Sequence, residues 1–483
     1  MKTVLGFLRT SGVYVLGSVL SRLVGFLLLP LITAFVAPEQ MGYYDLSVVY
    51  ATLAYEFIFM NIWVVILRYM HDSSGEERMR ALAPGLVLFL SSTVLYMATA
   101  GVVAVVAAPE HIWWVAFYGL SISLSYLTGY TCRGLGRSVD FAVSGVVNAI
   151  VTAALNIWLL VGLSFDISAL YIAGIAGYLA QSIYLEIRVG ILRRLRWHWF
   201  TEIKATALRS MLLYALPIGF TAMVYWFINS FNRVVVSGLL TLEDNGIFAV
   251  AARWGSLLAV VLTAMSFAWQ EIAFRRGTDG PFFGRAATLY FAALAASVAV
   301  LMPAVRLVFP WFVDPAYDAA LAVIPTTLLA AAFSGYFNFV VSIFYAAKNS
   351  RGVFWGAVVA AVANVGLTIP LIAVLGLQGA NLSAVLAFAF GLLVLHLILR
   401  RRMDFRFGYW RAGAALLLPL ASSLVFWFLD PIWNLVWLVA LAAVALTASL
   451  VWWRVRSRAM TSRESPKDPV DDYDAAIGDE REG

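Results

Sequence analysis

The sequence is poor in charged residues and has almost no cysteine. Only 12% of its 483 residues are charged and 62% are hydrophobic, against roughly 25% charged residues in an ordinary soluble domain. A soluble fold cannot bury that much apolar surface. The single cysteine, Cys132, excludes an intramolecular disulfide and a cysteine-based zinc site. The chain is instead rich in Phe, Tyr and Trp, which suit a protein that crosses two water–lipid interfaces. The composition predicts an integral membrane protein.

Sequence motifs of catalysis are also missing. The chain has no glycine-rich phosphate loop of the Walker type, no His/Glu metal spacing and no nucleophile elbow. Its four histidines are scattered over different loops and predicted helices. We therefore expect no enzyme activity, no metal and no bound cofactor. Because a nucleotide site is lacking, we expect any active transport to draw on an ion gradient.

The apolar residues are grouped into fourteen segments, each long enough for a membrane-spanning helix. Such a helix needs about 20 largely apolar residues, and continuous runs rich in Leu and Ala are not the alternating pattern of barrel strands. The sequence predicts an all-α polytopic membrane protein with fourteen transmembrane helices. The predicted spans are 11–36, 43–67, 81–107, 113–132, 140–163, 168–187, 210–240, 246–272, 286–312, 319–345, 353–375, 380–399, 412–429 and 434–453.

The segments between the spans alternate in charge. One set, which includes Pro38 to Gln40, Glu110, and Glu243 to Asn245, contains no Lys or Arg. The other set holds nearly all the cations, including the runs 188–209 and 400–411. The positive-inside rule therefore predicts that the basic loops and both termini lie in the cytoplasm. We expect a multi-pass protein of the inner membrane. The net charge of +6 is thus explained by cations that orient the chain in the membrane and contact lipid head groups. Nucleic acid is not an expected partner.

Two short similarities indicate an internal repeat. The segment 33–44 resembles the segment 237–248, 204 residues later, and Leu155-Asn156-Ile157 resembles Ala363-Asn364-Val365. The repeat predicts two six-helix bundles related by a pseudo-two-fold axis along the membrane normal, with a substrate site between them. Two further helices follow. The predicted divisions are an N-terminal bundle at 1–200, a C-terminal bundle at 201–402, helices thirteen and fourteen at 403–457, and a disordered cytoplasmic tail at 458–483.

Several short motifs resemble those of the polysaccharide flippases in the multidrug/oligosaccharidyl-lipid/polysaccharide exporter superfamily. The resemblance runs from about residue 8 to residue 455. The resemblance rests on the order and spacing of these motifs along the chain. The motifs are Ser21 to Phe26 with Pro30, Pro38 to Tyr43, Ala215 to Pro217, Asn232-Arg233, Asn245 to Phe248, and Arg306 before Asp314 to Tyr317. It implies a flippase that carries a polyprenyl-pyrophosphate-linked oligosaccharide from the inner to the outer leaflet. Such flippases serve the synthesis of capsule, lipopolysaccharide O-antigen or exopolysaccharide, so a polysaccharide polymerase and glycosyltransferases are implied as partners.

A few ionisable residues lie inside the predicted spans. A charge at the bilayer centre costs at least about 2.5–3.5 kcal/mol, so these residues should face the bundle interior or water. Arg22 lies roughly 16 Å from the inner end of its helix at 1.5 Å per residue, too deep to reach the interface easily. It could donate a forked pair of hydrogen bonds to a phosphate, or pair with Glu56 or Asp45. The other arginines in the spans are Arg233 and Arg253, which are candidate substrate-binding residues, and Arg306, which we expect at the interface.

The carboxylates also have two interpretations. Asp45 and Glu56 could couple transport to a proton or sodium gradient, or each could be the partner in a structural ion pair. Asn156 and Asn364, which the repeat relates, are expected to link neighbouring helices by hydrogen bonds.

Three alternatives to a lipid-linked oligosaccharide flippase remain. A multidrug exporter of the same superfamily usually takes cations, and the excess of arginines over carboxylates in the spans disfavours it. A scaffold of a polysaccharide-synthesis complex, with no transport of its own, gains nothing from charges inside the membrane. A lipid II flippase shares the fold and the anionic lipid, and the sequence alone does not separate it from the leading hypothesis.

Overall fold

The computed structural model describes residues 23–276, 279–347 and 349–461. The described residues are 89% helical and contain no β-strand, so the predicted all-α membrane fold is confirmed. We number the helices as the predicted spans were numbered. They are α1 (Leu23–Phe35), α2 (Pro38–Phe59), α3 (Leu82–Val106), α4 (Ile112–Gly134), α5 (Ser138–Ile157), α6 (Ser168–Val189), α7 (Ala205–Leu239), α8 (Leu242–Arg276), α9 (Gly280–Phe312), α10 (Ala319–Ala346), α11 (Ser350–Leu375), α12 (Leu377–Met403), α13 (Tyr409–Phe428) and α14 (Pro431–Thr461).

Most of these helices are long and apolar enough to cross a membrane. Within the described ranges nine meet both criteria, and α2 with the helix Ile62–His71 that follows it forms a tenth, bent span. Helix α4 is 23 residues long but less apolar, because it carries many hydroxyl side chains. Ser121, Ser123 and Ser125 are buried, and each donates to a carbonyl of the preceding turn. These three serines of α4 therefore lie inside the bundle and away from lipid.

Two of the acidic segments predicted as loops, 38–40 and 243–245, are first turns of helices. Glu243, Asp244 and Asn245 belong to α8, and only residues 240–241 connect it to α7. The Thr241 hydroxyl accepts from the Asp244 N–H at 3.0 Å, and the Asp244 carboxylate accepts from the Thr241 N–H at 3.1 Å. This reciprocal cap and the helix dipole both favour acidic residues in a first turn. We call the end of the bundle that carries these connections the acidic end, and the opposite end the basic end.

Helix α2 ends in a sharp break. Met60 and Asn61 adopt left-handed backbone angles, with φ of 46° and 53°, and the chain continues as Ile62–His71 at an angle of 45°. A backbone group freed inside a membrane needs a new partner. Ser92 of α3 supplies one by donating to the Ile58 carbonyl at 3.2 Å, and the Glu56 carboxylate accepts from the Asn61 amide at 2.7 Å. The bend is thus held from both sides.

The packing of the helices follows one pattern twice. Helix α2 packs on α4, α4 on α6, and α5 on α6; six helices later, α8 packs on α10, α10 on α12, and α11 on α12. An internal repeat produces this correspondence. We refer to α1–α6 as the N-terminal bundle and to α7–α12 as the C-terminal bundle; the division at residues 200 and 402 stays a prediction.

The last two helices attach to the C-terminal bundle. Both α13 and α14 pack on α9, and Ser422 of α13 donates to the Ala299 carbonyl at 2.9 Å. Helix α14 extends to Thr461, a few residues into the tail predicted at 458–483. The rest of that tail, 462–483, lies outside the described residues.

The connection between the two bundles lies against the basic end of the N-terminal bundle. Arg196 and Glu202, in this connection, pair with Glu76 and Arg80 at 2.7 and 2.6 Å. Trp199 is buried beside them. Exposed ion pairs contribute only about 0–1 kcal/mol, so the buried indole is the stronger anchor.

Candidate functional site

The two bundles meet at the acidic end through glycines that the repeat relates. A Cβ atom on Gly42 of α2 would lie 1.7 Å from the Leu242 carbonyl oxygen, and one on Gly246 of α8 would lie 1.9 Å from the Pro38 carbonyl oxygen. Only glycine permits this approach of two backbones. Asn245 then donates to the Gly42 carbonyl at 2.9 Å. Helices α2 and α8 are therefore in backbone contact where they begin.

Further hydrogen bonds close the same end. Tyr317, between α9 and α10, donates to the Val36 carbonyl at 2.7 Å. The Asp314 N–H donates to the Thr33 hydroxyl at 3.2 Å. Each bond joins the N-terminal bundle to the C-terminal bundle. The boundary between the bundles is thus sealed at the acidic end.

Three of the predicted site residues come together below this seal. Asp45 lies on α2 about 10 Å along the helix from Pro38, at 1.5 Å per residue. Its carboxylate oxygen Oδ2 lies 3.1 Å from Nε of Arg233 on α7. Arg253 of α8 also acts electrostatically on Asp45. We call Asp45, Arg233 and Arg253 the charged cluster. It joins one carboxylate of the N-terminal bundle to two guanidinium groups of the C-terminal bundle.

Arg253 lines a polar cavity on the N-terminal side, which we call the N chamber. It has a volume of about 320 Å³, at the lower end of the roughly 300–1,000 Å³ of ligand pockets. Besides Arg253, its polar lining consists of Tyr44, Tyr118, Tyr178, Asn148, Thr152, Asn156 and Ser256. Apart from Arg253, no ionisable Asp, Glu, Lys or Arg among the described residues lines it. The N chamber can therefore hold an anionic group beside uncharged hydroxyl and amide groups.

Arg233 lines a second cavity, the C chamber, on the C-terminal side. Its volume is about 470 Å³, and its polar lining comes from residues that include Asn229, Thr327 and Asn338. Arg233 is its one charged lining residue within the described part of the chain. Ser256 of α8 borders both chambers. The charged cluster therefore lies between two polar cavities, and each cavity receives one guanidinium group.

A third cavity differs from both chambers. It lies between α2, α3 and α4 towards the acidic end, has a volume of about 420 Å³, and is lined chiefly by small and aromatic residues such as Ala51, Ala100 and Tyr50. Tyr50 is partly exposed on this face. Because most of its surface is apolar, this cavity suits hydrocarbon.

The other predicted residues lie away from the cluster. Arg22 lies outside the described residues. Glu56 is on α2 about 16 Å from Asp45, at 1.5 Å per residue, and its described partner is the Asn61 amide at the helix break. Arg306 of α9 stacks over the Phe426 ring of α13, 5.4 Å from the ring centroid, so it anchors a helix pair. The roles assigned to Arg22 and Glu56 from the sequence stay predictions.

The two asparagines related by the repeat behave differently. Asn364 of α11 donates to the Ile228 carbonyl of α7 at 2.8 Å, as expected for a residue that links helices. Thr368, one turn later, donates to Asn232 of α7 at 3.0 Å. Asn156 of α5 donates within its own helix, to the Thr152 carbonyl, and lines the N chamber. The expectation of helix linking thus fits Asn364. It fails for Asn156, because that side chain bonds within its own helix and faces the N chamber.

Sequence reasoning missed the tyrosines of the N chamber. Tyr44 precedes Asp45, and its ring meets that of Tyr171 at 4.9 Å; Tyr118 and Tyr178 meet at 5.8 Å. Buried tyrosines in a membrane helix need hydrogen-bond partners, and α4 has an unusually polar sequence for a span. That polarity was the available signal that α4 faces a polar cavity.

The described residues contain no group of three or more His, Cys, Asp and Glu side chains placed to hold a metal ion.

Comparisons with known proteins identify the fold. No family model and no curated protein sequence matches the chain. Among solved structures, a lipid II flippase MurJ in an inward closed conformation matches with a TM-score of 0.71 and 15% identity, covering 91% of this chain and 98% of that one. An inward-facing MATE-family multidrug resistance transporter of the MOP superfamily matches with a TM-score of 0.58 and 17% identity, covering 82% and 93%. A MATE transporter of Vibrio cholerae matches with a TM-score of 0.52 and 14% identity, covering 83% and 99%.

All three matching proteins are membrane transporters or flippases by description. The chain shares the fold of these proteins. Identities of this size establish the shared fold and leave the substrate open.

Proposed function

We propose that this protein is a flippase that translocates a polyprenyl-pyrophosphate-linked oligosaccharide by alternating access, for the synthesis of a cell-surface polysaccharide. The observation that carries the proposal is the charged cluster. Arg233 pairs with Asp45 across the boundary between the bundles, below the seal at the acidic end; Arg233 lines the C chamber and Arg253 lines the N chamber. A transporter whose bundles rock about such a site exposes it to one side of the membrane at a time.

The chemistry of the cluster favours an anionic substrate. A guanidinium group inside the membrane is costly unless a counter-ion or water compensates it. The cluster has two guanidinium groups and one carboxylate, so one positive charge remains for a ligand. Planar guanidinium groups bind phosphate oxygens in pairs. The uncharged amides and hydroxyls of the chambers can bond to sugar hydroxyls beside the phosphates.

The same arrangement disfavours two of the alternatives, the multidrug exporter and the scaffold. A multidrug exporter for cations needs a site in which carboxylates predominate, whereas arginines outnumber the carboxylate here. A passive scaffold has no use for a charged pair across the boundary between its two bundles. We further propose that the basic end is cytoplasmic, that both termini lie there, and that the membrane is the inner membrane of the cell.

The test is translocation by the purified protein in lipid vesicles. The probe is a fluorescent polyprenyl pyrophosphate carrying a short oligosaccharide, and its transfer between leaflets is followed with an impermeant quencher. We expect transfer above protein-free vesicles. Arg233→Lys and Arg253→Lys should each slow it about tenfold or more, the effect of about 1.4 kcal/mol, because an ammonium group cannot make the forked contact.

Arg306 provides the matched control. Arg306→Lys changes a guanidinium group that stacks on Phe426, outside both chambers, and should leave the transfer rate close to that of the unmodified protein. Absence of transfer for every polyprenyl pyrophosphate tested would overturn the proposal. Equal rates in the Arg253→Lys and Arg306→Lys proteins would remove Arg253 from the site.

A lipid II flippase is the second candidate, because the lipid II flippase MurJ matches over 91% of this chain. The vesicle assay separates the two when lipid II and an oligosaccharide-linked polyprenyl pyrophosphate are offered in parallel. Transfer of lipid II alone would favour the second candidate.

A further inference from the structure

Asp45 occupies the place where an anionic ligand of the cluster would bind. It lies close to Arg233, which lines the C chamber, and within the electrostatic reach of Arg253, which lines the N chamber. Its side chain is 17% exposed and that of Arg233 is 27% exposed. A carboxylate in this position competes for the guanidinium groups that a substrate phosphate would engage.

We propose that Asp45 is a selectivity residue that a diphosphate displaces and a single phosphodiester does not. The proposal rests on the proposed function and adds to it. The ordinary phospholipids of the membrane present one phosphate with one negative charge, and they greatly outnumber a lipid-linked sugar. A flippase with an arginine site therefore needs a means of rejecting them.

The geometry of the Asp45–Arg233 pair suits displacement. The atoms Oδ2 and Nε lie 3.1 Å apart, yet neither makes a well-aligned hydrogen bond with any described residue. A forked, aligned pair would be stronger. The attraction is therefore chiefly one of charge. A phosphate oxygen with better alignment can replace the carboxylate at Arg233.

The pair also joins the moving parts. Asp45 belongs to α2 of the N-terminal bundle, and Arg233 belongs to α7 of the C-terminal bundle. While the pair persists, it opposes separation of the bundles near the acidic end. For the site to open towards the acidic end, Arg233 must exchange Asp45 for another anion.

The two arginines project into different chambers, so the number of phosphates decides whether this exchange occurs. A single phosphate can be held by Arg253 in the N chamber while Asp45 remains on Arg233. Two linked phosphates can engage Arg253 and Arg233 together, and the second phosphate replaces Asp45. Only the diphosphate then frees α2 from α7.

The first experiment uses the unmodified protein in vesicles. Two probes carry the same polyprenyl chain and the same sugar, one through a monophosphate and one through a diphosphate. We expect transfer of the diphosphate probe and at least about tenfold slower transfer of the monophosphate probe, equivalent to about 1.4 kcal/mol. Equal rates would overturn the proposal while leaving the proposed function intact. Failure to transfer either probe would overturn the proposed function itself.

The second experiment removes the competing charge. Asp45→Asn should increase transfer of the monophosphate probe and of fluorescent phosphatidylglycerol relative to transfer of the diphosphate probe. Asp140→Asn is the matched control, because Asp140 pairs with Arg137 and Arg188 at the basic end of the N-terminal bundle; it should transfer no phosphatidylglycerol. A folded Asp45→Asn protein with unchanged selectivity would overturn the proposal. If that variant does not fold, the two-probe comparison in the unmodified protein still decides the question.

Discussion

Glu56 and Asn61 are joined by a hydrogen bond of 2.7 Å across the break between α2 and Ile62–His71. Asn61 has a left-handed backbone, so its side chain turns back towards the helix it has just left. The carboxylate that the sequence marked as an ion-coupling or ion-pairing group therefore also braces a bend.

Replacing Glu56 tests this bracing role. Glu56→Gln keeps an oxygen acceptor for the Asn61 amide, and we expect a folded protein whose transfer rate still responds to an imposed ion gradient as before. Glu56→Leu removes the acceptor, and an unpaired buried amide costs about 1–3 kcal/mol, so the melting temperature should fall. A Glu56→Gln protein that folds but no longer responds to the gradient would assign Glu56 to ion coupling instead.

The glycine contact between α2 and α8 predicts a strong effect of a single methyl group. In Gly42→Ala or Gly246→Ala the new Cβ atom meets a backbone carbonyl at 1.7 or 1.9 Å, and backbone atoms cannot rotate away. Overpacking of this kind costs about 1–3 kcal/mol, which thermal unfolding in detergent will show. Gly238→Ala is the control, since its Cβ atom meets nothing within 4 Å and alanine is the better helix former. Equal melting temperatures for all three variants would contradict the close approach.

The asparagine pair offers a test in which the two halves of the repeat serve as controls for each other. Asn364→Ala removes the bond from α11 to the Ile228 carbonyl and disturbs the bonds of Thr368. We expect a loss of about 1–3 kcal/mol in stability. Asn156→Ala removes a bond within α5 only and should lower the melting temperature less. A larger loss for Asn156→Ala would show that the N chamber depends on it for folding.

The charge pattern predicts which residues face the outside. With Cys132 replaced, single cysteines at Glu39, Glu110 and Glu243 should react with an impermeant thiol reagent in intact cells. Cysteines at Arg196 and Arg402 should react only after the membrane is opened. All five side chains are exposed on the protein surface, so burial does not protect them. Protection of the first three would overturn the fourteen-span topology.

Much of the architecture could be predicted because membrane helices carry strong local signals. Apolar runs gave the number of helices, and single charges inside those runs identified Asp45, Arg233 and Arg253. Their partners could not be predicted, because pairing depends on how each helix is rotated in the bundle. The sequence suggested Arg22 as a partner for Asp45, whereas the described partner is Arg233, 188 residues further along the chain.

Three other features were missed or only partly anticipated from the sequence. The break after α2 occurs at Met60 and Asn61, with neither glycine nor proline to mark it. The tyrosines of the N chamber look, by composition, like the aromatic residues that line a membrane surface. Asp314 and Tyr317 were noticed as a motif, but their bonds to Thr33 and Val36 join residues 281 positions apart.

The contact between α2 and α8 follows the rule of a symmetric dimer interface. Gly42 approaches Leu242, and Gly246 approaches Pro38. The repeat equates position 42 with 246 and position 38 with 242, so exchanging the two halves converts each contact into the other. Reciprocal contacts of this kind arise where a two-fold axis passes through an interface. Two separate copies of a six-helix ancestor could have made the same contact before gene fusion. Arg233 and Arg253 belong to only one half, since the repeat-related positions hold Leu29 and Val49, so the charged cluster breaks the symmetry that the glycine contact keeps.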